Sequence, residues 1–583
     1  MALKDTSLVQ SIKSTILTLD NAKTLIFYYF LYTNLSRAIR LLRANGVGRT
    51  IYDAYLMLAR GIMAIVLKAP AARRKVETEL NKAEQDIIKK LNPPIANSPP
   101  SALPSYGLPL SQLRHVLSSL SETDTSSTSS WKLGRVSGAV YDGGDAISGV
   151  IIDAISRFVV TNPLHPDVFP GLRRLEASVI SMTLELFNAG KQGVGSTTSG
   201  GTESILMACK AYRDWGKNVR GITEPEIIIP VSAHAAFDKA GGYFGIKIRH
   251  VDVDPETRKV DMKQVHRAIN KNTVALVGSA PNFPDGIIDD ITALSRLART
   301  HRIGLHVDCC LGSYLMPFLE KSGLPTVPFD FRLEGVTSIS CDLHKYAFTN
   351  KGVSIIMYRD KSWRRHQYFV STSWPGGVYA SPTMAGSRPG ALIAGAWATL
   401  MFMGQQGYIE SCQQIVTSAR RIESAIRTSI PELYILGKPM VSVVAFGSNS
   451  AQVDIYELGD RMSKMGWHLN ALQSPPAIHI ACTRLTAVTD FIEDLKEAVK
   501  ETKASFFNQG KDGQEKGKGD MVTLYGLGSS SAIGPGLVKE VACRYLDAVQ
   551  GMLSNGGVSG AQTPKGQSQQ NLQSILPVGG TNE

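Results

Sequence analysis

Residues 338–352 read SISCDLHKYAFTNKG, and the assignment of this stretch decides how the rest of the chain is read. An apolar, β-leaning run that includes Val336 and Ile339 stops abruptly at Asp342, His344, Lys345 and Tyr346. A second strand-like run follows over 353–358, so Lys345 stands on a turn between two strands. A lysine held among apolar walls, with a second cation at Lys351, has its charged form disfavoured. Its neutral amine is then free to attack a carbonyl and form a Schiff base. A lone lysine in a turn is ordinarily a solvated loop residue, so this chemistry needs support from elsewhere in the chain.

The surrounding region supplies a frame. Strand-like runs at 226–231, 246–253, 273–279, 303–308, 336–341 and 353–358 are mostly separated by helical or turn-rich intervals. That alternation predicts a largely parallel α/β sheet with ligands at the carboxyl ends of its strands.

Three further features fall at strand ends or helix starts. GSTTSGGTESILM (195–207) leads small and hydroxyl residues into an apolar helical pattern, so Gly200, Gly201 and Thr202 form an anion cup at a helix start. Alone, the same residues read equally well as a capped helix after a glycine turn. IGLHVDC (303–309) is an apolar strand with Asp308 at its end, where a buried carboxylate needs a partner such as a protonated ring nitrogen. Taken singly it is also a cap or turn former. His234 follows a strand among small residues (SAHAAF, 232–237), which lets a flat ring lie against it; alone it reads as a core or capping histidine. Phosphate cup, stacking ring, strand-end acid and turn lysine together specify a flat, phosphorylated, pyridine-like group held as a Schiff base, which is pyridoxal 5′-phosphate.

At 583 residues and 43% hydrophobic, the chain is long enough for a large core and more than one domain. Its net charge is +12 with a pI near 9.2. The basic clusters Arg37, Arg40, Arg43 and Arg73, Arg74, Lys75 lie outside the catalytic region. No aromatic and basic RNA-binding motif and no zinc-ligand spacing accompanies them, so the charge points to anionic lipid or substrate rather than nucleic acid. Seven scattered cysteines without a CxxC pair indicate reduced thiols facing a cytosol.

Residues 24–35, TLIFYYFLYTNL, form a short apolar run followed by arginines, shorter than the ~20 residues that cross a bilayer. If it spans, the arginines place the bulk of the chain in the cytoplasm. Residues 51–67, interrupted by Asp53 and Arg60, suit an amphipathic or buried helix. Helical spacing recurs over 73–91, a proline-rich connector follows over 92–109, 121–130 (SETDTSSTSS) reads as a flexible loop, and 551–583 as a disordered tail.

With these residues in view, the chain resembles the sphingosine-1-phosphate lyases, fold-type-I pyridoxal-phosphate enzymes related to the group II amino-acid decarboxylases. The resemblance rests on RVSGAVY (135–141), NPLHPDVFPGLRRLEA (162–177), TSGGTESILMACKAYRDW (198–215), SAHAAFDKA (232–240), HVDCCLG (306–312), FDFRLEGVTSISCDLHKYAFTNKG (329–352) and GGVYASPTMAGSRPG (376–390). It covers roughly residues 60–550, and NPLHPDVFPG and YASPTMAGSRPG are the more specific elements.

The resemblance implies a large domain (161–400) with a mostly parallel seven-stranded sheet and a smaller C-terminal α+β domain (401–550). It implies a membrane-anchor region (1–60) and a helical linker segment (61–160) ahead of these. It implies that Lys345 bonds the cofactor, His234 stacks on its ring, Asp308 binds its nitrogen, and Gly200, Gly201, Thr202 and His344 sit near its phosphate. Tyr141 and Lys351 are the candidates for proton transfer. Asn162, His165, Ser387 and Arg388 are the candidates for binding substrate or phosphate, and no metal is implied.

The implied reaction is retro-aldol cleavage of a phosphorylated long-chain base to a long-chain aldehyde and phosphoethanolamine. The implied setting is a homodimer with shared active sites, single-pass in the endoplasmic reticulum membrane and facing the cytosol. Ala347, Asn350, Cys309 and Ser313 depart from the family's pattern, which puts substrate preference or rate in question. An amino-acid decarboxylase and an inactive membrane-anchored scaffold remain as rival readings.

Overall fold

The computed structural model describes residues 19–66, 70–91, 102–126, 131–512 and 534–550. The chain divides into two compact units, residues 1–68 with 125–536 and residues 69–124 with 537–583.

The first unit is built on a seven-stranded sheet. Its strands are β1 (Val194–Thr198), β2 (Glu226–Pro230), β3 (Lys247–Val251), β4 (Thr273–Ser279), β5 (Gly304–Asp308), β6 (Ser338–Asp342) and β7 (Ser354–Tyr358), in the order β1-β7-β6-β5-β4-β2-β3. β7 runs antiparallel to both neighbours, and the other pairings are parallel. The reversal follows from chain length: the connector between β6 and β7 holds no crossover helix, and a parallel pair requires one. Both faces are covered. Ile227, Ile229, Val277 and Ile356 pack on one side with helices Gly201–Arg220 and Ala236–Phe244, while Ile228, Leu276, Leu305 and Ile355 join the larger core on the other. Burial on two faces is why these strands read as continuous apolar runs.

A short ribbon, β8 (Phe369–Ser371) and β9 (Tyr379–Ser381), precedes the helix Gly390–Ser429, which breaks at Gly404 (φ 56°). Beyond it lies an antiparallel sheet of β10 (Leu433–Ile435), β11 (Val443–Ser448), β12 (Asn470–Gln473) and β13 (Pro476–Ala481), in the order β10-β11-β13-β12. In the second unit Arg544 of helix Gly534–Gln550 pairs with Glu77 and Glu84 of helix Pro70–Leu91, each at 2.8 Å.

Three expectations change. β1 lies where small and hydroxyl residues leading into a helix were expected; five residues with Gly195 and Ser196 in their middle give a short strand signal, and pairing along the whole length with β7 supplies the order. Residues 121–126 complete the helix Leu110–Ser126 instead of forming a loop, and 127–130 lie outside the described residues, as do 92–101 and the tail 551–583.

The third change concerns the anchor. Residues 24–35 and 51–66 belong to one helix, Leu19–Val66, kinked at Gly46 (φ 76°). Among the described residues no helix is long and apolar enough to cross a membrane, so the single-pass span is not supported. Asp20 and Lys23 on one side and Arg37 on the other cut the apolar stretch short.

Candidate active site

Because β1, β2, β5 and β6 share one direction, their carboxyl ends meet on one rim. That rim carries Gly200, Gly201 and Thr202 after β1, His234 after β2, Asp308 at the end of β5, and His344 and Lys345 after β6. The helix start after β1 is pressed against the β6 turn. A Cβ on Gly201 would lie 2.8 Å from Asp342 Oδ2 and from Cys310 Sγ, and one on Gly200 would lie 3.3 Å from His344 Cε1. Only glycine permits that approach. Ser199 donates to Glu203 Oε2 through both its N–H and its hydroxyl, each at 2.7 Å, which leaves the next amides of the helix start facing the rim.

Lys345 Nζ stands 2.9 Å from Asp342 Oδ2, with His344 Nε2 at 3.6 Å from the same oxygen. Burial works to lower the Lys345 pKa, but the charge of Asp342, joined by Cys310 and Tyr141, outweighs it and holds the ammonium well above the usual lysine range. The same balance runs the other way at Asp342: burial pushes its carboxyl up, and Lys345 and His344 bring it below the ordinary value. The expectation that apolar walls and Lys351 neutralise Lys345 is therefore overturned.

The lowered lysine is Lys351, through burial first and then the charge of Lys345. Its Nζ lies 4.8 Å over the Tyr141 ring and donates to the His344 carbonyl at 3.3 Å. Burial raises the Tyr141 phenol against the pull of Lys345, and the Tyr141 ring meets Tyr346 edge-on at 4.9 Å. Tyr346 in turn donates to the Cys482 carbonyl at 2.8 Å, tying the turn to the chain after β13. Burial also lowers the His344 pKa, so its ring is neutral near pH 7.

Asp308 is buried, and its Oδ1 accepts from the Cys310 N–H at 3.0 Å and the Ser340 hydroxyl at 3.2 Å. His234 is exposed, its Nδ1 accepting from the Ala236 N–H at 3.1 Å. Asn162, Ser387 and Arg388 form a second group. Asn162 Nδ2 donates to Ser387 Oγ at 3.0 Å, and the Arg388 N–H donates to Asn162 Oδ1 at 3.2 Å. Arg388 Nη1 is held by Glu176 at 2.6 Å and Thr197 at 2.7 Å. His165 is exposed on the same loop, its N–H donating to the Asn162 carbonyl at 3.1 Å.

Sequence reasoning missed Asp342 and Glu176. Asp342 carried a signal, since an acid three residues before a lysine in a turn can reach its ammonium; Glu176 carried none beyond its place in the NPLHPDVFPGLRRLEA stretch. Of the departing residues, Ser313 (φ 41°) donates its hydroxyl to the Asp342 carbonyl, and Asn350 Nδ2 donates to the Leu392 carbonyl at 3.3 Å. Buried Ala347 accepts at its carbonyl from the Tyr408 hydroxyl at 3.0 Å. All three positions tie the lysine loop to its surroundings.

These residues fit pyridoxal phosphate. Asp342 Oδ1 and His344 Nδ1 are buried without a hydrogen-bond partner among the described residues, in side chains that lie against the glycine cradle and beside the lysine. Buried polar atoms of this kind call for a polar ligand.

Residues 116–449 match the pyridoxal-dependent decarboxylase conserved domain. The sphingosine-1-phosphate lyase of Saccharomyces cerevisiae is 46% identical over 90% of this chain and 88% of its own length. Sphingosine-1-phosphate lyase 1 of Rattus norvegicus is 43% identical over 84% of each. Among solved structures, the sphingosine-1-phosphate lyase of Burkholderia pseudomallei is 41% identical with a TM-score of 0.66, over 70% of this chain and 95% of that one. A Lactobacillus brevis glutamate decarboxylase, 20% identical with a TM-score of 0.60, shares the fold.

Proposed function

The chain belongs to the sphingosine-1-phosphate lyase family, built on the pyridoxal-dependent decarboxylase domain, and from that membership we propose the reaction its site performs. It cleaves phosphorylated sphingoid bases to a long-chain aldehyde and phosphoethanolamine. The observation that carries this reading is the cluster after β6, where Lys345 pairs with Asp342 at 2.9 Å against the glycine cradle of the helix start.

The chemistry pyridoxal phosphate supplies when bound is an electron sink for the carbon–carbon bond beside the substrate amine. When the cofactor is bound, Lys345 would anchor it covalently, Asp308 would take its ring nitrogen, and the exposed ring of His234 would stack on it. Gly200, Gly201, Thr202 and His344 would take its phosphate, using the helix-start amides and the imidazole. Asp342 is the carboxylate beside the proton that Lys345 must release before its amine can form a bond.

Cleavage needs the proton of the substrate hydroxyl removed. Lys351 and Tyr141 are the candidates for that transfer: burial and Lys345 destabilise the Lys351 ammonium, and burial keeps the Tyr141 phenol protonated, able to donate a hydrogen bond that orients the hydroxyl. Asn162, His165, Ser387 and Arg388 line the approach for the substrate phosphate. The Arg388 charge is already shared with Glu176, so Ser387 and Asn162 carry the closer contacts.

A homodimer accounts for the exposed side chains of Trp374, Val378, Met384, Met401 and Phe402, which a second copy would cover. The apolar part of helix Leu19–Val66 lies in the interface of the endoplasmic reticulum membrane, where a phosphorylated long-chain base resides.

Mass detection of long-chain aldehyde from a phosphorylated sphingoid base, with wild type beside Lys345→Ala, tests the reading. Wild type releases aldehyde and the variant does not. Release of carbon dioxide from an amino acid, with the sphingoid base left intact, would overturn it in favour of a decarboxylase.

A further inference from the structure

β5 and β6 run parallel with His306 opposite Ser338 and Asp308 opposite Ser340. Alternate residues of a strand share a face, so these four polar side chains stand together on one side of the sheet. The elements over that side are helices Gly201–Arg220 and Ala236–Phe244: Phe237 sets its ring against His306 at 5.8 Å, and Tyr212 brings its hydroxyl to Ser338. Gly304, two residues before His306, makes this possible, because a Cβ there would lie 2.1 Å from Tyr212 Cε1. His306, Ser338 and Ser340 are buried.

The contacts run without a break from Tyr212 to Asp308. The Tyr212 hydroxyl is 2.5 Å from Ser338 Oγ, which is 2.8 Å from His306 Nδ1. On the far side of the ring, Nε2 is 3.2 Å from Ser340 Oγ, and Ser340 donates to Asp308 Oδ1 at 3.2 Å. The direction follows from the end. A carboxylate accepts, so Ser340 spends its one proton there and can only accept from His306. Nε2 therefore carries the ring proton and Nδ1 the lone pair, which Ser338 fills. Ser338 then accepts from Tyr212, which shares its proton with Thr337 Oγ1 at 2.7 Å, Thr337 itself donating to the Leu305 carbonyl at 3.1 Å.

We propose that Tyr212, Ser338, His306 and Ser340 form a one-way hydrogen-bond chain ending on Asp308 Oδ1, and that His306 is a positioning residue orienting Asp308 for the cofactor's ring nitrogen. The inference rests on the role given to Asp308 above and extends it to residues that touch neither cofactor nor substrate. Two donors, the Cys310 N–H and the Ser340 hydroxyl, converge on Oδ1 and leave the other oxygen to the cofactor.

The titratable groups bearing on Asp308 are His306 on its own strand and the Cys309 and Cys310 thiols after it. Burial holds the imidazole down to about 4 and both thiols well above their usual value, so all three are neutral near pH 7. The chain thus transmits a dipole, strengthened by its length, and moves no charge.

The test uses the holoenzyme, reading the cofactor dissociation constant by equilibrium dialysis and the cofactor absorbance as a function of pH. Asp308→Ala is the reference and is expected to raise the dissociation constant by roughly a hundredfold and displace the absorbance–pH curve. Ser340→Ala and His306→Gln raise it by about tenfold and displace the curve in the same direction, Tyr212→Phe less so, and Ser340→Thr restores wild-type behaviour. If His306→Gln does not fold, Ser340→Ala and Tyr212→Phe each remove a single hydroxyl and decide alone. Variants that melt at lower temperature but keep the wild-type dissociation constant and curve, while Asp308→Ala changes both, would reduce the chain to core packing and overturn the inference. If Asp308→Ala itself changes neither, the assigned role of Asp308 fails and the inference with it.

Discussion

The rim of the large sheet and the helix Leu19–Val66 invert the usual placement of side chains in opposite senses. At the rim, Asp308, Asp342 and His306 are 7%, 2% and 1% exposed; on the helix, Phe27, Tyr28, Tyr29 and Phe30 are all more than half exposed. Buried polar groups and large exposed apolar patches are the informative departures from ordinary folding. At the rim most of these groups are met by the chain's own partners; Asp342 Oδ1 and His344 Nδ1 are among the buried atoms that are not, and unlike Ser232 Oγ and Ser279 Oγ they lie at Lys345, where a polar ligand fits. A polar departure thus marks where chemistry is done. An apolar one marks where the chain meets another phase, and it says nothing of reaction.

The largest break in this contrast is expected at Asp342. Asp342→Ala leaves the Lys345 ammonium in a largely buried site with its partner gone, and breaking such a pair costs about 4 kcal/mol. Urea unfolding of the apoenzyme reads that loss directly. A change under about 1 kcal/mol would mean that solvent, and not Asp342, carries the charge of Lys345.

Acid should separate the two regions next. His306 and His479 are buried with pKa values lowered to about 4, each by burial first. Their unfolded counterparts bind protons near ~6.5, so the stability they confer is complete above that value and lost as pH falls towards 4, on the order of 3 kcal/mol each. Asp289, which burial raises to about 6, opposes them over part of the same window. Urea midpoints measured between pH 7 and pH 4 should fall accordingly. With His306→Gln and His479→Gln combined, the slope should become shallower; an unchanged slope would reject the assignment.

A smaller effect sharpens the account of the sheet. Gly304→Ala drives a methyl into the Tyr212 ring, and overpacking of this kind costs about 2 kcal/mol. A variant as stable as wild type would show that Tyr212 can withdraw without cost.

Much of the rim was legible in the sequence. The runs that became β2 to β7 were recognisable from apolar and β-branched residues buried on both faces, and Asp308 and Lys345 from their chemical type at strand ends. β1 was not, because Gly195, Ser196, Thr197 and Thr198 owe their extended form to β7. Nor was the charge state of Lys345 legible. The sign of its shift depends on whether Asp342 comes within 3 Å, and composition weighted towards apolar neighbours favours the wrong answer. The chain from Tyr212 to Asp308 joins a helix to two strands far apart in sequence, so only the folded register reveals it. On the helix Leu19–Val66, the apolar run was legible while its fate was not, since the thirteen residues between Lys23 and Arg37 leave spanning and interfacial placement open.

That last point yields the smallest expected change in stability and the cleanest separation of the two regions. Phe27→Ser with Phe30→Ser alters side chains that face solvent, so the unfolding midpoint should move by less than about 0.5 kcal/mol. Binding to lipid should fall instead, because each buried aromatic ring contributes roughly 2 kcal/mol of transfer from water. Co-flotation of the full chain with vesicles carrying anionic lipid measures it. The doubly substituted protein should remain with the unbound fraction while still cleaving a detergent-dispersed phosphorylated sphingoid base. Equal flotation of both proteins would mean that these rings meet another protein surface, and a matching loss of cleavage in detergent would mean that the helix contributes to the site itself.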